Sequence, residues 1–153
     1  MLFRSGLAAD LAGVVERAIA VKAEVVDEDF TEQGRRAHLN YGHTIGHAIE
    51  YLTGWSHGRS VAVGMVAAGA ASEVVTGFDD GDRVVAALER VGLPLVAPPL
   101  DGGAVLGLID RDKKADSVGV RMTLLEALGH PLVTHVDSAT LGAALAAVGI
   151  GGP

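Results

Sequence analysis

Apolar Leu11, Val14, Val15, Ile19, Val21 and Val25 recur at roughly helical spacing, with Glu16, Arg17, Lys22 and Glu24 between them. That pattern predicts a helix from Ala8 to about Val26. Asp27, Glu28 and Asp29 read as an exposed break, and the stretch TEQGRRAHLNYGH after it as a loop dense in polar side chains. A second helix is expected from Tyr41 or Gly42 to Thr53, stopped by Gly54. A third, from His57 or Ser60 to Thr76, is apolar almost all round, as a central buried helix would be. Asp79 or Asp80 caps a fourth, GDRVVAALERVG, closed by Gly92 and Pro94. LVAPPLDGG is a turn-rich connector, and GAVLGLIDRDKK a short helix with a basic tip. RMTLLEAL and PLVTHV flank Gly129 and His130 as one hairpin. Ser138 caps a last helix before a frayed GIGGP tail. The fold class expected is mainly α, multi-helical, with one small antiparallel β-hairpin.

Length and composition narrow the function. The 153 residues fit one domain, 1–153, and 49% hydrophobic content against 20% charged supplies a core. A net charge of −7 disfavours nucleic acid or an anionic membrane as partner. Zero cysteines remove disulfides, Cys-ligated zinc and thiol catalysis. The N-terminal stretch is broken by Asp10, Glu16 and Arg17, unlike a signal peptide, and VAVGMVAAGAA is too short to span a bilayer. A cytoplasmic location is the expectation.

The candidate chemistry lies in three histidines. His43 and His47 are i, i+4 on one helix face, and Glu50 shares that face with His47. His57 follows the Gly54-Trp55-Ser56 turn, so a helix, a turn and a second helix start can bring three imidazoles to one cavity. Such a set suits a catalytic metal site; an exposed polar face is the plainer alternative. The small residues Gly42, Gly46 and Ala48 favour the former, because they clear space beside the histidines and glycines cost a solvated helix about 1 kcal/mol each. HTIGH is not the metallopeptidase H-E-x-x-H, since Thr44 stands where the general-base Glu is needed.

KAEVV from Lys22, EQGRRAHLNYGHTIGHAIE from Glu32, HGRSVAVGM from His57, RDKK from Arg111 and the GVRMTLLEALGHPLVTHV hairpin strongly resemble the C-terminal helical half of 3-dehydroquinate synthase. The resemblance implies a site at which a phosphorylated seven-carbon keto acid (DAHP) becomes 3-dehydroquinate with loss of phosphate, a lyase step of the shikimate pathway. It implies a zinc or cobalt ion, acting as a Lewis acid, and NAD as a recycled cofactor. By position, His43 and His57 match the family's metal ligands. His47 matches a residue assisting proton transfer, and Glu32 the acid that orients it. Lys22, Arg36 and Asn40 match substrate-binding positions, as does Lys113 or Lys114. The family dimerises, so a homodimer is also implied.

The NAD-binding half and the third metal ligand, a glutamate, have no counterpart in this sequence. It carries no G-x-G-x-x-G after a strand. The expectation is a fragment or one half of a split enzyme that does not turn over alone and needs a separate N-terminal NAD-binding partner. Arg59 stands where the family has an acidic residue; if it points at the histidines it lowers metal affinity by repulsion. The alternatives are another sugar-phosphate cyclase, of valiolone or inosose type, and a non-catalytic helical binding domain.

Overall fold

The computed structural model describes residues 11–29, 34–112 and 119–151. The chain divides into two units, Met1–Leu39 and Asn40–Pro153.

In the first unit, α1 runs over Leu11–Glu28. It takes in Asp27 and Glu28, so the acidic run is not a break. Asp29 instead accepts hydrogen bonds from the backbone N–H groups of Gly34 (2.8 Å) and Arg36 (3.0 Å). Those donors lie at the start of a 3-10 helix, Arg35–Asn40, where a loop was expected. A carboxylate placed on otherwise orphaned donors lets so polar a stretch wind up. Arg35 reaches back to Glu28, with Glu24 at 3.7 Å.

The second unit holds α2 (His43–Thr53), α3 (His57–Thr76), α4 (Gly81–Arg90), α5 (Gly102–Asp112), β1 (Val120–Ala127), β2 (His130–Val136) and α6 (Ser138–Ala147). α3 is the hub. It packs against α2, α4, α6 and β1, and nine of its residues are buried. Ile45, Ile49, Val63, Val105, Leu124, Val136 and Val148 make the main core, and a smaller cluster forms around Ala62, Phe78, Val84 and Leu88. The mainly helical class with one antiparallel hairpin is as the pattern predicted.

Capping departs from expectation in two places. Asp137, not Ser138, caps α6, accepting from the Thr140 N–H at 2.7 Å. Asp80 precedes α4, but its side chain pairs with Arg83 at 3.0 Å instead of capping the backbone. The tail is not frayed as far as Gly151: Ile150 is buried, Val148 O accepts the Ala97 N–H at 2.9 Å, and Gly151 bridges Asp101. The basic tip after α5 lies outside the described residues. Among those described, no helix is long and apolar enough to cross a membrane.

Candidate metal centre

His43 opens α2, His47 follows one turn later, and His57 opens α3. Between the helices, Gly54 adopts the left-handed conformation (φ 66°) and donates its N–H to the Glu50 carbonyl at 2.9 Å. This reversal over three residues returns the chain to the end of α2. One nitrogen from each of the three imidazoles lies within 4.8 Å of the others. Ring centroids are 5.1 to 5.7 Å apart. His43 is half-buried, while His47 and His57 are exposed. The donor set can hold a divalent cation.

The glycines serve a different surface from the one the sequence suggested. A Cβ on Gly46 would lie 2.9 Å from the Val61 Cα, and one on Gly42 would lie 2.7 Å from the Met65 backbone nitrogen. A Cβ on Gly64 would collide with the Gly42 carbonyl oxygen. The small residues thus allow α2 and the segment before it to seat on the backbone of α3. Close approach, rather than cleared space, brings His43 toward His57. The segment is pinned again by Tyr41, whose hydroxyl donates to the Met65 carbonyl at 3.0 Å; burial pushes the phenol up to about 12.

Two of the rings are oriented. Nδ1 of His43 lies 3.3 Å from the Tyr41 carbonyl, and Nδ1 of His57 lies 2.9 Å from Oε2 of Glu50. A carbonyl or carboxylate oxygen only accepts, so in the neutral ring these contacts favour the tautomer with the proton on Nδ1 and the lone pair on Nε2. Among the described residues nothing hydrogen-bonds the ring of His47. Burial holds His43 below the ordinary imidazole value against the opposing hydrogen bond to Tyr41, and the neighbouring histidines push the same way as burial. The sequence placed Glu50 beside His47, whereas its carboxylate turns to His57. Spacing gave no signal for that link, which depends on the intervening turn.

The remaining positions belong to different units or lie outside the described residues. Lys22 is exposed on α1 and Arg36 half-buried in the 3-10 helix, both in the first unit. Asn40 is half-buried three residues before His43. Glu32, Lys113 and Lys114 lie outside the described residues. The Arg59 guanidinium stacks over the Trp55 ring, 4.5 Å from its centroid, a favourable cation–π placement. Beside His47, Thr44, Tyr51, Leu108 and Ile109 line a cleft of about 190 Å³.

Residues 3–115 match the family model described as 3-dehydroquinate synthase C-terminal. The chain belongs to that family. It is 45% identical over 143 residues to the 3-dehydroquinate synthase of a Synechococcus strain, covering 88% of this chain and 39% of that protein. The synthase of Methylococcus capsulatus is 44% identical over 146 residues, 91% of this chain and 41% of that protein. This chain therefore spans about two-fifths of the length of the curated synthases it matches. A solved structure of 2-deoxy-scyllo-inosose synthase, complexed with carbaglucose-6-phosphate, NAD+ and Co2+, superposes with a TM-score of 0.71 at 28% identity, covering 80% of this chain and 38% of that one.

Proposed function

We propose that the chain is the metal- and substrate-binding part of a 3-dehydroquinate synthase, acting on the phosphorylated keto acid DAHP. The observation that carries this reading is the converged histidine set in which two rings, His43 and His57, are turned by their Nδ1 partners to offer Nε2. Those two would hold zinc or cobalt. The ion, when bound, would stabilise negative charge developing on substrate oxygens. His47, exposed and free of a hydrogen-bond partner among the described residues, is suited to hold or move a proton at a ring nitrogen. Arg36 offers its planar fork, and Lys22, Lys113 and Lys114 their ammonium groups, to the substrate's carboxylate and phosphate. Asn40 offers an amide to a hydroxyl, and Glu32 would orient His47.

Among the described residues nothing forms a dinucleotide-binding fold. The sequence has no glycine-rich strand-to-helix turn, and the described residues hold only a two-stranded antiparallel sheet. No hydride step is therefore assigned to it, and an N-terminal NAD-binding half would have to supply one. A cytoplasmic location and a homodimer belong to the same reading. The inosose synthase likeness favours a second one, a related cyclase with another sugar phosphate. The 40 to 45% identity to proteins named 3-dehydroquinate synthase favours the first.

Zinc titration by calorimetry tests the assignment. His43→Ala and His57→Ala are each expected to weaken binding by about 100-fold or more, beyond the 10–100-fold typical of losing an outer partner. His47→Ala should stay within a few-fold of wild type. Equal affinity in wild type and His57→Ala removes His57 as a ligand; an equal loss in all three variants would make His47 a ligand too.

A further inference from the structure

We infer that Glu50 positions His57 for the metal, fixing which ring nitrogen it presents; the inference rests on the metal reading above. A neutral imidazole has one N–H and one lone pair, and only the lone pair can bind a cation. In free histidine the proton prefers Nε2, which would leave Nδ1, the atom nearer the backbone, as donor. Oε2 of Glu50 stands 2.9 Å from Nδ1 of His57 and can only accept when ionised, so it draws the proton to Nδ1.

The geometry of the turn makes this contact specific. Glu50 is seven residues before His57, and its carbonyl receives the Gly54 N–H at 2.9 Å while Gly54 sits at φ 66°. One residue thus closes α2 through its backbone and aims the first side chain of α3 through its carboxylate. The two side chains are 37% and 55% exposed, and a polar contact so wet adds little to stability. Glu50 is also outside the set of side chains whose ligand atoms converge, which comprises the three histidines alone among the described residues. His43 offers a contrast. Its Nδ1 partner is the main-chain carbonyl of Tyr41, which no substitution at that position deletes. Of the two oriented rings, only that of His57 depends on another side chain.

The experiment uses the full 153-residue chain as wild type, Glu50→Ala and Glu50→Gln. Nitrogen-15 NMR of the imidazoles reads the tautomer without metal, at a pH where the rings are neutral. Wild type should carry the His57 proton on Nδ1, Glu50→Ala should shift it toward Nε2, and Glu50→Gln, whose side-chain oxygen still accepts, should keep it. Zinc calorimetry should find Glu50→Ala weaker by about 10–100-fold, with Glu50→Gln between. Far-UV circular dichroism checks that α2 persists in both variants. Unchanged tautomer and affinity in Glu50→Ala overturn the inference and leave the histidine site standing. Lost affinity with an unchanged tautomer also overturns it, making Glu50 a ligand. Failure of wild type to bind zinc sinks the metal reading, and this inference with it.

Discussion

Gly64 and Tyr41 set how closely the residues before α2 approach α3, and both can be tested singly. Gly64→Ala thrusts a methyl into the Gly42 carbonyl oxygen, so it should destabilise by about 1–3 kcal/mol in chemical denaturation, the usual cost of overpacking. Because Gly42 precedes His43, zinc affinity should fall as well. Gly107→Ala in α5 is the control: a Cβ there would meet nothing within 4 Å and the residue is exposed, so about 0.5–1 kcal/mol of stabilisation is expected. Tyr41 predicts an alkaline limit. Its phenol is raised from an ordinary 10.0 to about 12 by burial, so the folded state binds the proton more tightly than the unfolded one. Its contribution is complete below pH 10 and is lost as pH rises through about 12. Denaturation at pH 9 and pH 11.5 should find a smaller loss in Tyr41→Phe than in wild type.

At the scale of elements, α3 does more than fill the core. The Ser72 hydroxyl donates to the Ala68 carbonyl at 2.6 Å and accepts the Leu125 N–H at 3.0 Å. The Thr76 hydroxyl sits 2.5 Å from the Leu125 carbonyl oxygen and 2.7 Å from that of Ser72. Leu125 is the last residue of the regular β1–β2 register, opposite Pro131, and its backbone N–H and carbonyl face the helix. Ser72→Ala strips a buried donor of its acceptor and should cost about 1–3 kcal/mol. Amide exchange at Leu125 should accelerate with it; an unaltered rate would refute this docking. The helix's apolar, small-residue composition was legible as a mark of burial, but not which strand it would satisfy. That partner is 49 to 53 residues away in the chain.

For the whole molecule, the proposed reading calls for a nicotinamide-binding half beside these residues, which span about two-fifths of the length of the synthases they match. Mixing the chain with a separately made NAD-binding half of a 3-dehydroquinate synthase, plus zinc, NAD and DAHP, should release phosphate, while the chain alone should release none. No release from the mixture, under saturating zinc and NAD, counts against the split-enzyme reading. Release with an inosose-type substrate but not DAHP would favour the second cyclase reading.

Local pattern determined the helices and the hairpin, because amphipathic spacing, turn glycines and a strand–Gly129–strand arrangement act within a few residues. It also marked the histidines as a group, since i, i+4 spacing and a short turn leave few other arrangements. Family motifs in the sequence itself carried the likeness to 3-dehydroquinate synthase. Packing alone decided that Gly42, Gly46 and Gly64 form a helix contact, that Glu50 faces His57 instead of His47, and that Arg59 lies over Trp55. Each depends on the path of a turn or the approach of two backbones. Such distances arise from contacts across the fold, and no run of neighbouring residues encodes them.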